Sequence, residues 1–249
     1  MGLFDFLSSS PEKKVDKAKQ IMLNEHQQHQ VRQQAIYDLG QMNNDFAARA
    51  LIERLGVNFR DTIKNEQERG WVRHLLVEQF ETRAIEPLRA FIQEANSNAA
   101  SVSGAVQVLR ELIADDEMTT FLIETLKKHQ PKDHRTVELR LQLIDALEEQ
   151  EGEITDVLLP YTVDHSDDVR IKVINLLEER LRGVEGDHRP VISSLLKAMC
   201  DPFASGRTAR AAATAVIKMG ASLSSFSEEF DEELLPEGYA LKNGYLQEV

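Results

Sequence analysis

The sequence predicts an all-α protein built as a stack of helical hairpins, an α-solenoid. Three observations lead there. One short pattern recurs along most of the chain, each copy carries apolar residues at the helical period, and a second apolar-periodic stretch follows each copy before the next begins. Units of this size cannot bury their apolar face alone, so they stack on one another.

The clearest copy runs from Asp167 to Leu177. Val169, Val173, Leu176 and Leu177 form one stripe on a helix. Ser166 stands at the N-cap position, and Asp167 and Asp168 place negative charge at the positive end of the helix dipole. Arg170 lies just off the stripe. Its stem is expected to pack between layers, with its head on a loop carboxylate of a neighbouring hairpin.

The other copies centre on Arg32, Arg73, Ser103, Arg140 and Arg210, so the six register residues are separated by 41, 30, 37, 30 and 40 residues. The first copy, Val31 to Gly40, ends in a C-cap-type glycine. Second helices are expected over Asp45 to Leu55, Arg83 to Ala95, Met118 to His129, Ile154 to Thr162 and Pro190 to Met199. Ser10 with Pro11 marks an earlier helix start, carrying the stripe Val15, Ala18, Ile21 and Met22.

The Val-Arg-x-x-Ala-x-x-x-Leu-Gly signature at Val31 to Gly40, with its weaker copies, resembles HEAT repeats over residues 11–225. The resemblance implies a right-handed superhelix of about six HEAT-like hairpins. It implies a single solenoid domain over 1–225, followed by an acidic tail over 226–249. The Met1 to Leu7 start, the Phe59 to Trp71 insert and the Leu235 to Tyr239 tail also resemble the layout of a group of bacterial HEAT-repeat proteins. That likeness implies no activity. HEAT-like stacks serve as scaffolds, adaptors, lyase subunits and glycosylases.

Composition narrows the classes. The 249-residue chain has a formal charge of −13, which weighs against general nucleic-acid binding, since that rests on Lys and Arg contacts to phosphates. The lone Cys200 rules out an internal disulfide and fits a reducing compartment. No stretch is long and apolar enough to span a bilayer, and Asp5 interrupts a short apolar start that is too brief for a signal peptide. The expected location is the cytoplasm. Residues 2–7, with Leu3, Phe4, Phe6 and Leu7, are expected to cover the apolar end of the first hairpin.

Chemistry-bearing motifs are absent. The chain has no P-loop, no dinucleotide glycine fingerprint, no Gly-x-Ser-x-Gly, no His-Glu-x-x-His and no Cys-x-x-Cys. His26 and His29 lack a third ligand and read as a solvated linker, and the Glu148 to Glu153 run reads as a wet corner. No catalytic residue, cofactor or metal is expected. The expected function is a protein-interaction scaffold or adaptor that grips a protein or peptide. The contacts would lie on the second helices, at Arg49, Glu53, Arg89, Gln93, Lys127 and Lys197, or in the polar insert Gly56 to Gly70 with Phe59, Arg60 and Trp71. The insert is either a binding loop or a helix extension whose aromatics plug a groove. The alternative function is a HEAT-type enzyme or subunit, resembling either DNA-lesion glycosylases or cofactor-attachment lyases. In the tail, Leu235 to Leu246 is expected to form an extended piece around an Asn-Gly turn, docked by Tyr239 and Tyr245.

Overall fold

Ser10 accepts the backbone N–H of Lys13, and Pro11 occupies the first helical position, where a missing N–H removes no helix bond. Helix α1 (Pro11–Met22) therefore starts where the sequence places it. In the computed structural model, which describes residues 10–95, 101–226 and 230–249, the chain is mostly helical. The apolar start at Leu3 to Leu7 lies outside the described residues. The chain forms two compact units, residues 1–121 and 122–249, with the division inside helix α7 (Asp115–Lys127).

The first unit continues with α2 (His29–Met42), α3 (Asp45–Leu55), α4 (Thr62–Leu75), α5 (Ile85–Glu94) and α6 (Ser103–Leu112). Alternate helices pack together: α2 on α4, α4 on α6, and α3 on α5. The stripes meet in a core that includes Ile36, Leu39, Leu51, Leu55, Val72, Leu88 and Leu109. Asp61 caps α4 by accepting the Lys64 N–H, so most of the polar insert is helix rather than loop. At its far end α4 widens into a π-type turn over Leu76–Phe80, closed by Glu81 at φ 51°.

Two glycines have packing reasons. Gly40 lies inside α2, and the left-handed residue that ends this helix is Asn43, at φ 44°, which corrects the expected glycine cap. A Cβ on Gly40 would come within 3.0 Å of Leu75 Cδ2, so the glycine permits the close approach of α2 and α4. A Cβ on Gly104 in α6 would meet Arg69 Nη2 at 2.9 Å and the Leu55 carbonyl at 3.2 Å.

The second unit holds the rest of α7, then α8 (Val137–Glu148), α9 (Thr155–Leu158) with a 3-10 turn over Leu159–Val163, α10 (Asp167–Leu181), α11 (Arg189–Met199) and α12 (Gly206–Lys218). Here too alternate helices pack together: α10 lies between α8 and α12, and the turn after α9 packs on α11. Ser166 holds the N-cap position of α10 but makes no side-chain cap bond; its own N–H donates to Asp164.

Near the end of the chain, β1 (Tyr239–Lys242) and β2 (Tyr245–Glu248) form an antiparallel hairpin around Asn243-Gly244. Both turn residues have positive φ, 54° and 78°, as a two-residue hairpin turn requires. The hairpin packs on α12 through β2, where Leu246 is buried, while Leu223 donates to the Gly244 carbonyl at 2.7 Å. Tyr239 reaches Thr214 of α12 at 3.2 Å, but Tyr245 is exposed. The anchor is thus Leu246 rather than Tyr245, because successive strand side chains point to opposite faces. No helix among the described residues is long and apolar enough to cross a membrane.

Candidate functional site

Three of the five register arginines, Arg32, Arg140 and Arg170, are buried, whereas Arg73 is exposed and pairs with Glu111. In the second unit Arg140 is fully buried and grips Asp164 through two parallel bonds of 2.8 Å, from Nε and Nη2. Its remaining nitrogen donates to the Asp133 carbonyl and to Thr136. Arg170 on α10 makes a similar arrangement, donating to the Asp164 carbonyl and to Asp201 Oδ2 at 2.8 Å. Arg140 thereby ties α8 to the loop before α10, and Arg170 ties α10 to the loop before α12. Arg210, in the same register, is exposed.

In the first unit Arg32 joins a larger cluster centred on Glu68 of α4. Glu68 Oε1 accepts from Arg32 Nε at 2.9 Å and from the His29 ring at 2.8 Å, and Oε2 accepts from Arg54 Nη2 at 2.8 Å. Arg54 also donates to the Asn65 side chain at 2.9 Å and to the Val57 carbonyl at 2.8 Å. Arg32 reaches the carbonyls of Glu25 and Gln27. The loops before α2 and after α3 are therefore both tied to one carboxylate. Burial raises the pKa of Glu68, but bonds from Arg32, Arg54 and His29 more than reverse this and leave it below the ordinary value. Burial lowers the pKa of Arg54, against the pull of Glu68. Phe59 lies under both cations, with the guanidinium carbons of Arg32 and Arg54 at 4.9 and 4.2 Å from its ring centroid. The negative face of the ring offsets part of the excess charge of two guanidiniums on one carboxylate.

This cluster has the composition of an acid–base site but the geometry of a clasp. Both carboxylate oxygens are occupied, and the guanidinium nitrogens end on Glu68, Asn65 and carbonyls. Among the described residues no group of three or more His, Cys, Asp or Glu side chains is arranged to hold a metal ion.

At its edge the clasp meets the surface. The His29 ring, fixed by Glu68, stacks on Trp71 with centroids 5.8 Å apart and planes at 29°. Trp71 is 38% exposed, and Tyr37, on the facing helix, is 58% exposed. Together with Gln33, Ile36, His74 and Leu75 they line a largely apolar cleft of ≈ 300 Å³ between α2 and α4. Trp71 thus stands at the rim of a pocket and is held in place from behind.

The expected contact residues fall into three groups. Trp71 lines the cleft. Phe59 is 7% exposed and serves the clasp, so it offers little surface, whereas Arg60 is exposed, with its N–H held by Glu25 at 2.7 Å. The rest lie on α3, α5, α7 and α11. Arg49 is exposed and Glu53 is paired with Lys19 at 2.5 Å. Arg89 is engaged by Glu86 at 3.3 Å and by Glu117, and Gln93 is half-buried. In the second unit Lys127 and Lys197 are exposed. None of this last group lines the α2–α4 cleft.

The structure adds His29, Arg54, Asn65 and Glu68 to the site, and Tyr37 to its surface. His29 is no solvated linker, since its ring is held between Glu68 and Trp71. A signal for Glu68 and Asn65 was present: they precede Val72 by four and seven residues, on the same helical stripe. Fold and site together define a mostly helical protein with an aromatic cleft backed by a buried ionic clasp. Compared with family models, curated proteins and solved structures, the chain matches none.

Proposed function

We propose that each unit is a stack of HEAT-like hairpins, and that the protein is a non-catalytic interaction scaffold that binds a protein or peptide at the α2–α4 cleft. Alternate packing of first helices on first helices and second on second supports the repeat reading. The observation that carries the binding reading is Trp71, exposed beside Tyr37 on an apolar cleft and oriented by His29. Large aromatic side chains held rigid bury much area on binding and lose little entropy, which is why they dominate interface energies. The partner that fits is a segment with an aliphatic or aromatic anchor for the pocket. The cleft lies on first helices, so the contact surface includes the end of the insert at Trp71 rather than the second-helix set.

Selection from a displayed peptide library against the full chain tests this. The expected binders share an apolar anchor and lose at least roughly tenfold in affinity with Trp71→Ala, as truncation of a central aromatic does. Binders that tolerate both Trp71→Ala and Tyr37→Ser would remove the cleft from the function.

A further inference from the structure

A second apolar groove lies between α1 and α2, with a volume of ≈ 550 Å³. Its floor is Ala18, Ile21, Val31, Ala35 and Met42, and Val31 is 40% exposed within it. Lys14 and Lys17 stand on the α1 rim, and neither has an ion-pair partner among the described residues. On the α2 rim are Gln30, Gln34 and Asp38, and the Asp38 carboxylate already accepts from Gln34 at 2.8 Å.

We propose that this groove is the docking site of residues 2–7 of the same chain. The segment carries Leu3, Phe4, Phe6 and Leu7, which suit an apolar floor, and its single charge is Asp5. That charge has the sign the two rim lysines call for. The attachment point is right as well. The Ser10 cap and Pro11 fix the start of α1, so the segment leaves the helix at the Lys14 end of the groove. From Lys14 to Ile21 the groove measures ~10 Å at the helical rise. The six residues 2–7 reach at most ~20 Å, enough to run the length of the groove. Tethering makes docking intramolecular, so a short segment fills the groove without needing high intrinsic affinity.

Disulfide trapping in the full chain tests the proposal. In a Cys200→Ser background, Gly2→Cys and Gln30→Cys place thiols at the far end of the groove. The expected result on mild oxidation is a disulfide within one chain, formed at least roughly tenfold more slowly when Phe4→Asp and Phe6→Asp are added, since charged side chains are poorly accommodated on an apolar floor. Equal rates with and without the aspartates would mean that tethering alone brings the thiols together, and would overturn the docking. Absence of the bond would do the same. A disulfide formed only between two chains would give the groove to a second copy.

Discussion

Arg54 Nη2 lies 2.8 Å from Glu68 Oε2, and neither side chain is exposed to solvent. This pair joins the end of α3 to the middle of α4. Through the other oxygen of Glu68 the same carboxylate reaches Arg32 on α2. One acidic group therefore holds three consecutive helices and the loops between them.

Glu68→Gln removes the negative charge and leaves two guanidiniums facing each other in the interior. The expected loss is about 3–5 kcal/mol, the range for breaking a buried ion pair from one side. Urea unfolding of the variant, followed by circular dichroism, checks it. A loss below roughly 1 kcal/mol would place the pair with surface salt bridges.

The same group sets an acid dependence. Its pKa is depressed in the folded protein, so its contribution is complete above the ordinary glutamate value of 4.5 and is lost as pH falls through the lower folded value. Stability measured against pH should fall below that value in the native sequence. Glu68→Gln should fall less steeply over the same acid range.

Trp71 is the only tryptophan, so its emission reports the cleft alone. His29→Ala removes the ring stacked behind it and should move the emission maximum to the red as water reaches the indole. The lost hydrogen bond to Glu68 should lower stability by about 1.5–3 kcal/mol, the range for a bond to a charged group. Unchanged emission would show that Trp71 is oriented without His29.

Two helical glycines should respond in opposite directions to alanine. Nothing lies within 4 Å of a Cβ at Gly70, so Gly70→Ala should stabilise by about 1 kcal/mol through helix propensity. At Gly104 the Leu55 carbonyl, 3.2 Å from the added Cβ, belongs to backbone that cannot swing aside. Gly104→Ala should destabilise by about 1 kcal/mol, the overpacking cost exceeding the propensity gain. Thermal unfolding of both variants decides the signs.

In the second unit Arg140→Lys keeps the charge but cannot reproduce the paired bonds to Asp164 together with those to Asp133 and Thr136. The expected loss is about 1.5–3 kcal/mol. Hydrogen exchange should show it at Ser166, whose N–H is held by Asp164 at 2.8 Å.

By itself the sequence determined the mostly helical fold, the helices that carry the six register residues, and the hairpin at Asn243-Gly244, because each rests on local rules. Apolar residues at the helical period show a stripe whatever it packs against, and an Asn-Gly pair accepts positive φ wherever it stands. Only the tertiary structure decided what the polar residues on those stripes do. Glu68 reads as one of several charges in a polar insert until Arg54, 14 residues away, and Arg32, 36 residues away, are brought to it. Gly40 reads as a cap until Leu75 is found against it, and Leu246 rather than Tyr245 proves to be the anchor once the hairpin lies on α12. The physical reason is that the burial of a charge depends on partners distant in sequence, and the exposure of Trp71 and Tyr37 depends on which faces of α2 and α4 remain uncovered after packing.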